Sequence, residues 1–457
     1  MTLIFKTAVW FLVWLHIVNP FVSVNLTMVT GICAIIVLIS GLAIMGKSYR
    51  KATLTFLISG SAMLLYFHEP LSIWLMAAGT LTNVIAILVM MQIFSIPIQV
   101  GQYNSAIRYW LNRFCKSEDG LFLFTTAATH VFTSFLMFGA IPVVIALMEK
   151  TLKGRVQEYE RFLATATSRG YALASLWAPG AINLFLVVQA TGVAWSAVFV
   201  PGVILSLLGI LLAYLLERKS FETVQKSQFA SAAQATTNDA AAERGKADHI
   251  IWVVLGLILI TLILDKLHVG NSSNRILLAG LIIGLSWLSL FFHQPVLKTA
   301  IRDYWRSSVI KAGDLAPFFV AMGIFSTALE QSGILGGIQV ELQCFASWLG
   351  AFAIIAIPLL VVAAAVLAIH PFITIVMFGK ILTVLNLPFS SITVALCLAL
   401  GGSISYMVSP FAGVIMTIGK FVGAKASDVS LTWNWRYSLI YFAMGICFAY
   451  FWGQWLA

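Results

Sequence analysis

Acidic side chains are nearly missing from this chain. Only 17 Asp and Glu stand among 457 residues, and charged residues of all kinds make up 10%. A soluble domain of ordinary composition carries about 25%, so a fully water-solvated surface is excluded. Cysteines are few and scattered (Cys33, Cys115, Cys344, Cys397, Cys447), without a CxxC pair or a Cys/His ligand spacing. Neither a disulfide framework nor a zinc site is indicated. HExxH, GxSxG, a GxGD pair, clustered carboxylates and a Walker motif are also missing. Their absence argues against a hydrolase, a transferase or an ATP-driven pump, so no enzyme and no cofactor is expected. Alternating ten-residue segments are lacking too, which excludes an outer-membrane barrel.

What is there is apolar. Hydrophobic residues make up 60% of the chain, in recurring runs of the length that crosses a bilayer. The fold class that follows is an all-α polytopic membrane protein. About eleven transmembrane helices are predicted, at 6–22, 26–46, 52–68, 71–97, 160–191, 195–217, 250–266, 275–293, 312–330, 391–422 and 436–454. Two further apolar stretches, 120–149 and 342–386, read as re-entrant hairpins. The first 22 residues lack an A-x-A cleavage site and read as a span rather than a signal peptide.

The net charge of +10 reflects topology, and no nucleic-acid partner is expected. With the N-terminus in the cytoplasm and both hairpins returning to their side of entry, the basic loops 47–51, 108–116, 149–155, 217–219 and 298–306 all fall inside. Of the 27 Lys and Arg, only Arg169, Lys266, Arg275 and Lys380 depart from that side. The positive-inside rule thus supports the hairpins and puts the C-terminus outside the cell (inner or plasma) membrane. Lipid is the first expected partner. Residues 218–249, rich in Ala, Ser and Thr, read as a cytoplasmic linker.

Two phrases resemble each other. HVFTSFLMFGAI at 130–141 and HPFITIVMFGKI at 370–381 share His130/His370, Phe132/Phe372, Met137/Met377, Phe138/Phe378, Gly139/Gly379 and Ile141/Ile381, 240 positions apart. Flanking blocks repeat in the same order but 231 positions apart: MQIFS at 91–95 with MGIFS at 322–326, and 179–198 with 410–429. The reading is an internal duplication with one nine-residue indel. It divides the chain into an N-terminal span (1–25), repeat 1 (26–217), the linker (218–249) and repeat 2 (250–457). The first hairpin opens from the cytoplasm and the second from outside, so the repeats are inverted. Inverted repeats place a transporter's substrate site at their interface near the midplane. Each repeat also holds a span interrupted by proline, Pro179 in SLWAPGAIN and Pro410 in GGSISYMVSP. Proline frees a carbonyl, which inside lipid must be buried in protein or line a cavity.

Hairpin, broken helix and closing span, given twice in inverted orientation, resemble the ion transporter superfamily, and within it the divalent anion/sodium symporters, relatives of the arsenite and citrate permeases. The resemblance covers roughly residues 26–454 and is architectural. Phe132-Thr133-Ser134 and Phe372-Ile373-Thr374 stand where those symporters carry Ser-Asn-Thr. The resemblance implies elevator-type transport, with a moving domain of hairpins and broken helices and a scaffold that forms a homodimer.

The candidate substrate- and ion-binding residues are His130, Thr133, Ser134, Ser175, Asn183, His370, Thr374, Ser405 and Ser409. Half-helix N-termini suit a small organic anion, a carboxylate first. Hydroxyl and carbonyl oxygens suit Na+, expected near Ser134, Asn183, Thr374 and Ser409. The histidines fit a proton-coupling role and a structural one equally, and Arg169 either meets a substrate's charge or snorkels to its helix end. A permease subunit that needs a binding protein, or an intramembrane enzyme, is the alternative function.

Overall fold

The computed structural model describes residues 1–101, 103, 110, 118–152, 156, 158–218 and 240–455. Within these the chain is helical, with no strand. Most of the 218–249 linker, Cys115 and much of the 108–116 and 149–155 loops lie outside the described residues. Among the described residues, six helices are long and apolar enough to cross a membrane: Thr2–Phe21, Leu71–Gly101, Trp195–Glu217, Arg244–Lys266, Val340–Val366 and Ser391–Val422. The other expected spans are shorter or less apolar helices.

In chain order, the helices begin with α1 (Thr2–Val18), α2 (Thr27–Leu42), α3 (Lys47–Tyr66), α4 (Leu71–Gly79), α5 (Thr82–Met91) and α6 (Ser95–Gly101). Then follow α7 (Glu118–Leu136), α8 (Ala140–Leu152), α9 (Tyr159–Ala174), α10 (Ile182–Thr191) and α11 (Trp195–Glu217). The second half holds α12 (Ala240–Lys266), α13 (Ser272–Ser289), α14 (Val296–Asp303), α15 (Ala316–Gln331) and α16 (Ile334–Leu349). It closes with α17 (Ala353–Val366), α18 (Pro371–Val384), α19 (Ser391–Val408), α20 (Gly413–Val422) and α21 (Trp435–Trp455).

The chain forms two compact units, and each draws on both halves of the sequence. Unit 1 comprises Met1–Val100, Leu257–Trp348 and Val384–Asn386. Unit 2 comprises Gly101–Gly256, Leu349–Thr383 and Leu387–Ala457. In unit 1, glycines let backbones meet. A Cβ on Gly31 of α2 would lie 2.2 Å from the Leu75 carbonyl oxygen of α4, and one on Gly60 of α3 would lie 2.7 Å from Phe325 Cα of α15. Small residues at crossings allow this approach. Arg275, an exception to the charge pattern, is ion-paired with Asp265 and donates from Nε to the Val269 carbonyl at 3.0 Å.

Unit 2 gathers the helix pair α7–α8, the helix pair α17–α18, and the interrupted helices α9–α10 and α19–α20. Their boundaries repeat at a constant separation of 231. The helices α10 and α20 start and stop 231 residues apart, and α8 and α18 start 231 apart. Left-handed residues mark the same spacing: Met137 with Ala368 at the two hairpin turns, Gly192 with Gly423 after the interrupted helices. The separation of 240 and its nine-residue indel are therefore corrected. By the structural register His130 corresponds to Val361 and His370 to Gly139, so the two histidines are not counterparts. The first phrase runs from the last turns of α7 through the turn at 137–139 into α8, whereas the second lies in α18. The second turn accordingly falls at 367–370, ahead of Phe372-Ile373-Thr374. Ser403 Oγ donates to the Ala172 carbonyl at 2.7 Å, and these two positions are counterparts. A residue that touches its own counterpart lies at the axis relating the repeats.

The pair α7–α8 is held against α9 through Gly170, where an added Cβ would lie 2.4 Å from the Thr126 carbonyl oxygen and 2.8 Å from Thr129 Cβ. Gly170→Val is expected to cost about 1–3 kcal/mol by overpacking, read as a lower unfolding temperature of the purified protein. Gly139→Ala, whose Cβ would meet only Leu136 Cβ at 3.9 Å, should leave that temperature nearly unchanged. Equal losses would show that the close approach does not hold the pair.

Candidate functional site

The interruption between α9 and α10 spans Ser175 to Ala181, and that between α19 and α20 spans Ser409 to Ala412. Pro179 and Pro410 sit inside them. Carbonyls at the end of α9 and in the first break take side-chain donors. Ser175 Oγ and Ser403 Oγ reach the Ala172 oxygen at 2.6 and 2.7 Å, Ser206 Oγ reaches that of Leu173 at 2.8 Å, and Trp195 Nε1 reaches that of Trp177 at 3.1 Å. The second break is tied to the neighbouring helix α17. Ser409 Oγ donates to the Ala365 carbonyl at 2.6 Å and Ser405 Oγ to that of Val361 at 3.4 Å. Ser405 and Ser409 thus fasten α19 to α17.

Between the first hairpin turn and the interrupted helices lies a small cleft lined by Thr133, Met137, Tyr171, Ser175, Ala181, Ile182, Asn183, Phe372 and Tyr406. Its volume is about 10 Å³, room for about one water. Thr133 and Asn183 are 5% and 1% exposed, and their Oγ1 and Oδ1 atoms have no hydrogen-bond partner. Buried polar groups are nearly always paired, so two such oxygens in one cleft make it the candidate binding site. Asn183 reaches it across Gly402, where an added Cβ would fall 1.9 Å from Asn183 Oδ1. The Asn183 amide is anchored on the Ala399 carbonyl at 3.3 Å. Tyr171 and Tyr406 meet edge to face at 5.5 Å, and the Phe372 ring lies 6.4 Å from that of Tyr406.

Of the nine candidates, Thr133, Ser175 and Asn183 line the cleft. Ser134 Oγ donates within its own helix to the Val131 carbonyl at 2.7 Å. Thr374 Oγ1 is buried without a partner, but its residue is not part of the lining. Of the expected Na+ neighbours, Ser134 and Ser409 have their hydroxyls engaged, whereas Asn183 and Thr374 keep an open oxygen. The oxygen donors that fit a hard cation are therefore Thr133, Asn183 and Thr374, all neutral. Tyr171 and Gly402 were absent from the candidates. Their signal was there only in hindsight, as a tyrosine two residues from Arg169 and a glycine in the proline-broken span.

Neither histidine lines the cleft. His130 lies within α7 and accepts at Nε2 from Trp177 Nε1 at 2.9 Å. An indole N–H only donates, so while this bond stands the ring is neutral with its proton on Nδ1. His370 caps α18. Its Nδ1 accepts from the Phe372 N–H at 3.3 Å, with Pro371 at the first helical position, the usual grammar of a helix start.

Arg169 does not snorkel. It is 1% exposed, and its Nη2 is 2.9 Å from Glu217 Oε1 on α11. Nε donates to Asn434 Oδ1 at 3.0 Å, Nη2 also reaches the Trp433 carbonyl at 3.3 Å, and the Tyr437 ring lies 4.5 Å beneath the guanidinium. It therefore does not meet a charge in the cleft.

Two substitutions test these assignments. His130→Leu strands the Trp177 N–H and is expected to cost about 1–3 kcal/mol, whereas His130→Gln supplies an acceptor and should cost less. Glu217→Gln removes the carboxylate opposite a buried guanidinium, a loss of about 3–5 kcal/mol. Thermal unfolding in detergent reads both, and a Glu217→Gln protein as stable as the parent would overturn the pairing.

No protein-family model and no curated protein matches the sequence. Solved structures do match. The YdaH transporter of Alcanivorax borkumensis superposes with a TM-score of 0.57 at 16% identity, over 88% of this chain and 98% of that one. MtrF of Neisseria gonorrhoeae, described with a class of antimetabolite efflux pumps, superposes with a TM-score of 0.54 at 13% identity, over 83% of this chain and 84% of that one. At these identities the likeness is one of fold, and the chain is an integral, all-α polytopic membrane protein of that fold.

Proposed function

We propose that the protein is a secondary active transporter of a small organic anion, a carboxylate first, coupled to Na+ or H+. One observation carries the reading. Unit 2 collects both helix pairs, both interrupted helices, the spans α11 and α21, and the cleft with its unpartnered oxygens, while unit 1 holds α1–α6 and α13–α16. This division supports an elevator-type cycle in which unit 2 carries the site and unit 1 serves as scaffold, working as a homodimer. Kinship with the ion transporter superfamily is the finer form of the same proposal, and the transporter and efflux-pump folds above support its coarser form.

The cleft's chemistry favours Na+ over H+ as the coupling ion. Thr133 Oγ1 and Asn183 Oδ1 are acceptors without donors, which is what a hard cation takes. Both histidines use ring nitrogens as acceptors in structural bonds. A space of about 10 Å³ admits an ion or a water but no organic anion, so this conformation corresponds to a closed state, and the cleft must widen when substrate enters.

Proteoliposomes loaded against a panel of mono- and dicarboxylates test the proposal. Saturable flux driven by a Na+ gradient, and lost with choline, is expected. Flux that ignores Na+ but follows a pH gradient would move the coupling to protons. Turnover without net flux would instead favour an intramembrane enzyme. Thr133→Val is the sharper variant, because the Thr133 hydroxyl has no protein partner to lose. Removing it should leave stability within about 0.5 kcal/mol yet lower Na+-driven flux at least tenfold; unchanged flux would remove Thr133 from the site.

A further inference from the structure

A second cavity lies in unit 2, and the cleft does not account for it. It measures about 310 Å³ and is lined by Glu158, Arg161, Arg169, Leu216, Glu217, Thr432, Trp433, Arg436 and Tyr437. Three arginines face two glutamates here. Glu217 is saturated: Oε1 takes Arg169 Nη2 at 2.9 Å and Oε2 takes Arg161 Nη2 at 3.1 Å. Arg161 also holds Glu158 at 2.6 Å. Arg436 has no ion pair among the described residues, and Nη1 of Arg169, a side chain 1% exposed, is buried without a hydrogen-bond partner.

The pairing is therefore incomplete by one positive charge, and the surplus borders the cavity. A guanidinium presents its donors in a fixed planar fork that matches the paired oxygens of carboxylate and phosphate. Arg169 is held in one orientation by Asn434 at Nε, by Glu217 and the Trp433 carbonyl at Nη2, and by the Tyr437 ring. Asn434 is itself fixed by donating to Ser168 Oγ and the Val429 carbonyl, both at 2.9 Å. The guanidinium is thus preorganised, which lowers the ordering cost of binding. A buried donor left unpaired beside a cavity is a departure from the usual pairing that a bound acceptor would remove.

We propose that this cavity is an oxyanion-binding site, separate from the Thr133–Asn183 cleft, in which Arg436 and the guanidinium of Arg169 in the wall hold a carboxylate or phosphate group. Trp433 and Tyr437 give it an aromatic wall. The group can arrive on a soluble solute or on an anionic phospholipid headgroup, since the recognised chemistry is shared.

The test uses the full-length protein in uncharged detergent at constant ionic strength, following thermal unfolding against inorganic phosphate, benzoate, phosphatidylglycerol and, as control, phosphatidylcholine. A saturable upward shift with phosphate or benzoate is expected, or with phosphatidylglycerol alone if the site serves lipid. Arg436→Gln should weaken the apparent affinity at least tenfold while leaving the ligand-free unfolding temperature unchanged, because Arg436 has no partner to lose. Thr133→Val should leave the shift intact, which separates this site from the cleft and from the transport reading. No saturable shift with any probe, or the same shift in Arg436→Gln as in the parent, overturns the proposal.

Discussion

Inside a bilayer a backbone carbonyl without a donor costs several kcal/mol, and the architecture of unit 2 follows from that constraint. Two helices are interrupted within the unit, and side-chain donors reach three carbonyls at the first break. Ser175, within the break, and Ser403 of α19 share the Ala172 carbonyl, while Ser206 and Trp195, both of α11, take those of Leu173 and Trp177. The consequence for function is subtractive. Freed carbonyls would have suited a cation, but most are already taken. What remains for a guest is the pair of side-chain oxygens on Thr133 and Asn183.

The helical membrane fold was legible because its signal is spread along the whole chain: apolar runs, basic loops and two prolines in polar surroundings. The 231-residue separation of the interrupted helices was legible too, through the 179–198 and 410–429 blocks. The register in the hairpins was not. Apolar helices draw on a small alphabet, so Phe, Met, Gly and Ile align by composition alone, and HVFTSFLMFGAI matched HPFITIVMFGKI at the wrong separation. The turn itself carries no such bias. Left-handed backbone at Met137 and Ala368, φ 52° and 66°, marks equivalent places that no residue identity announces. Non-glycine residues bear such conformations at a cost and tend to do so where function needs them.

The candidate site divided along the same line. Thr133, Ser175 and Asn183 were recognisable as polar residues next to a turn or a proline. Serines of the same appearance, Ser405 and Ser409, fasten one helix to another. Sequence distinguishes a polar residue from an apolar one, but whether its hydroxyl meets a carbonyl or an open space depends on a neighbour 44 positions away. Arg169 eluded the reading for the same reason. A lone basic residue near a helix end resembles one that snorkels, and its true partner, Glu217, lies 48 residues on, at the end of another helix.

The structural register also shows how two matching halves form one cleft. At the axis, where Ser403 meets Ala172, the two repeats face each other and cannot both place the same bulky groups. Each repeat yields where the other intrudes. Tyr171 of the first corresponds to Gly402 of the second, and it is into the space over Gly402 that Asn183 extends, while its own counterpart is the apolar Val414. Ser175 corresponds to Tyr406, whose ring closes the cleft against Tyr171. The polar residues of the cleft stand on the first of the two matching halves, with the second giving room, an aromatic wall and a backbone carbonyl at Ala399 to hold Asn183 in place.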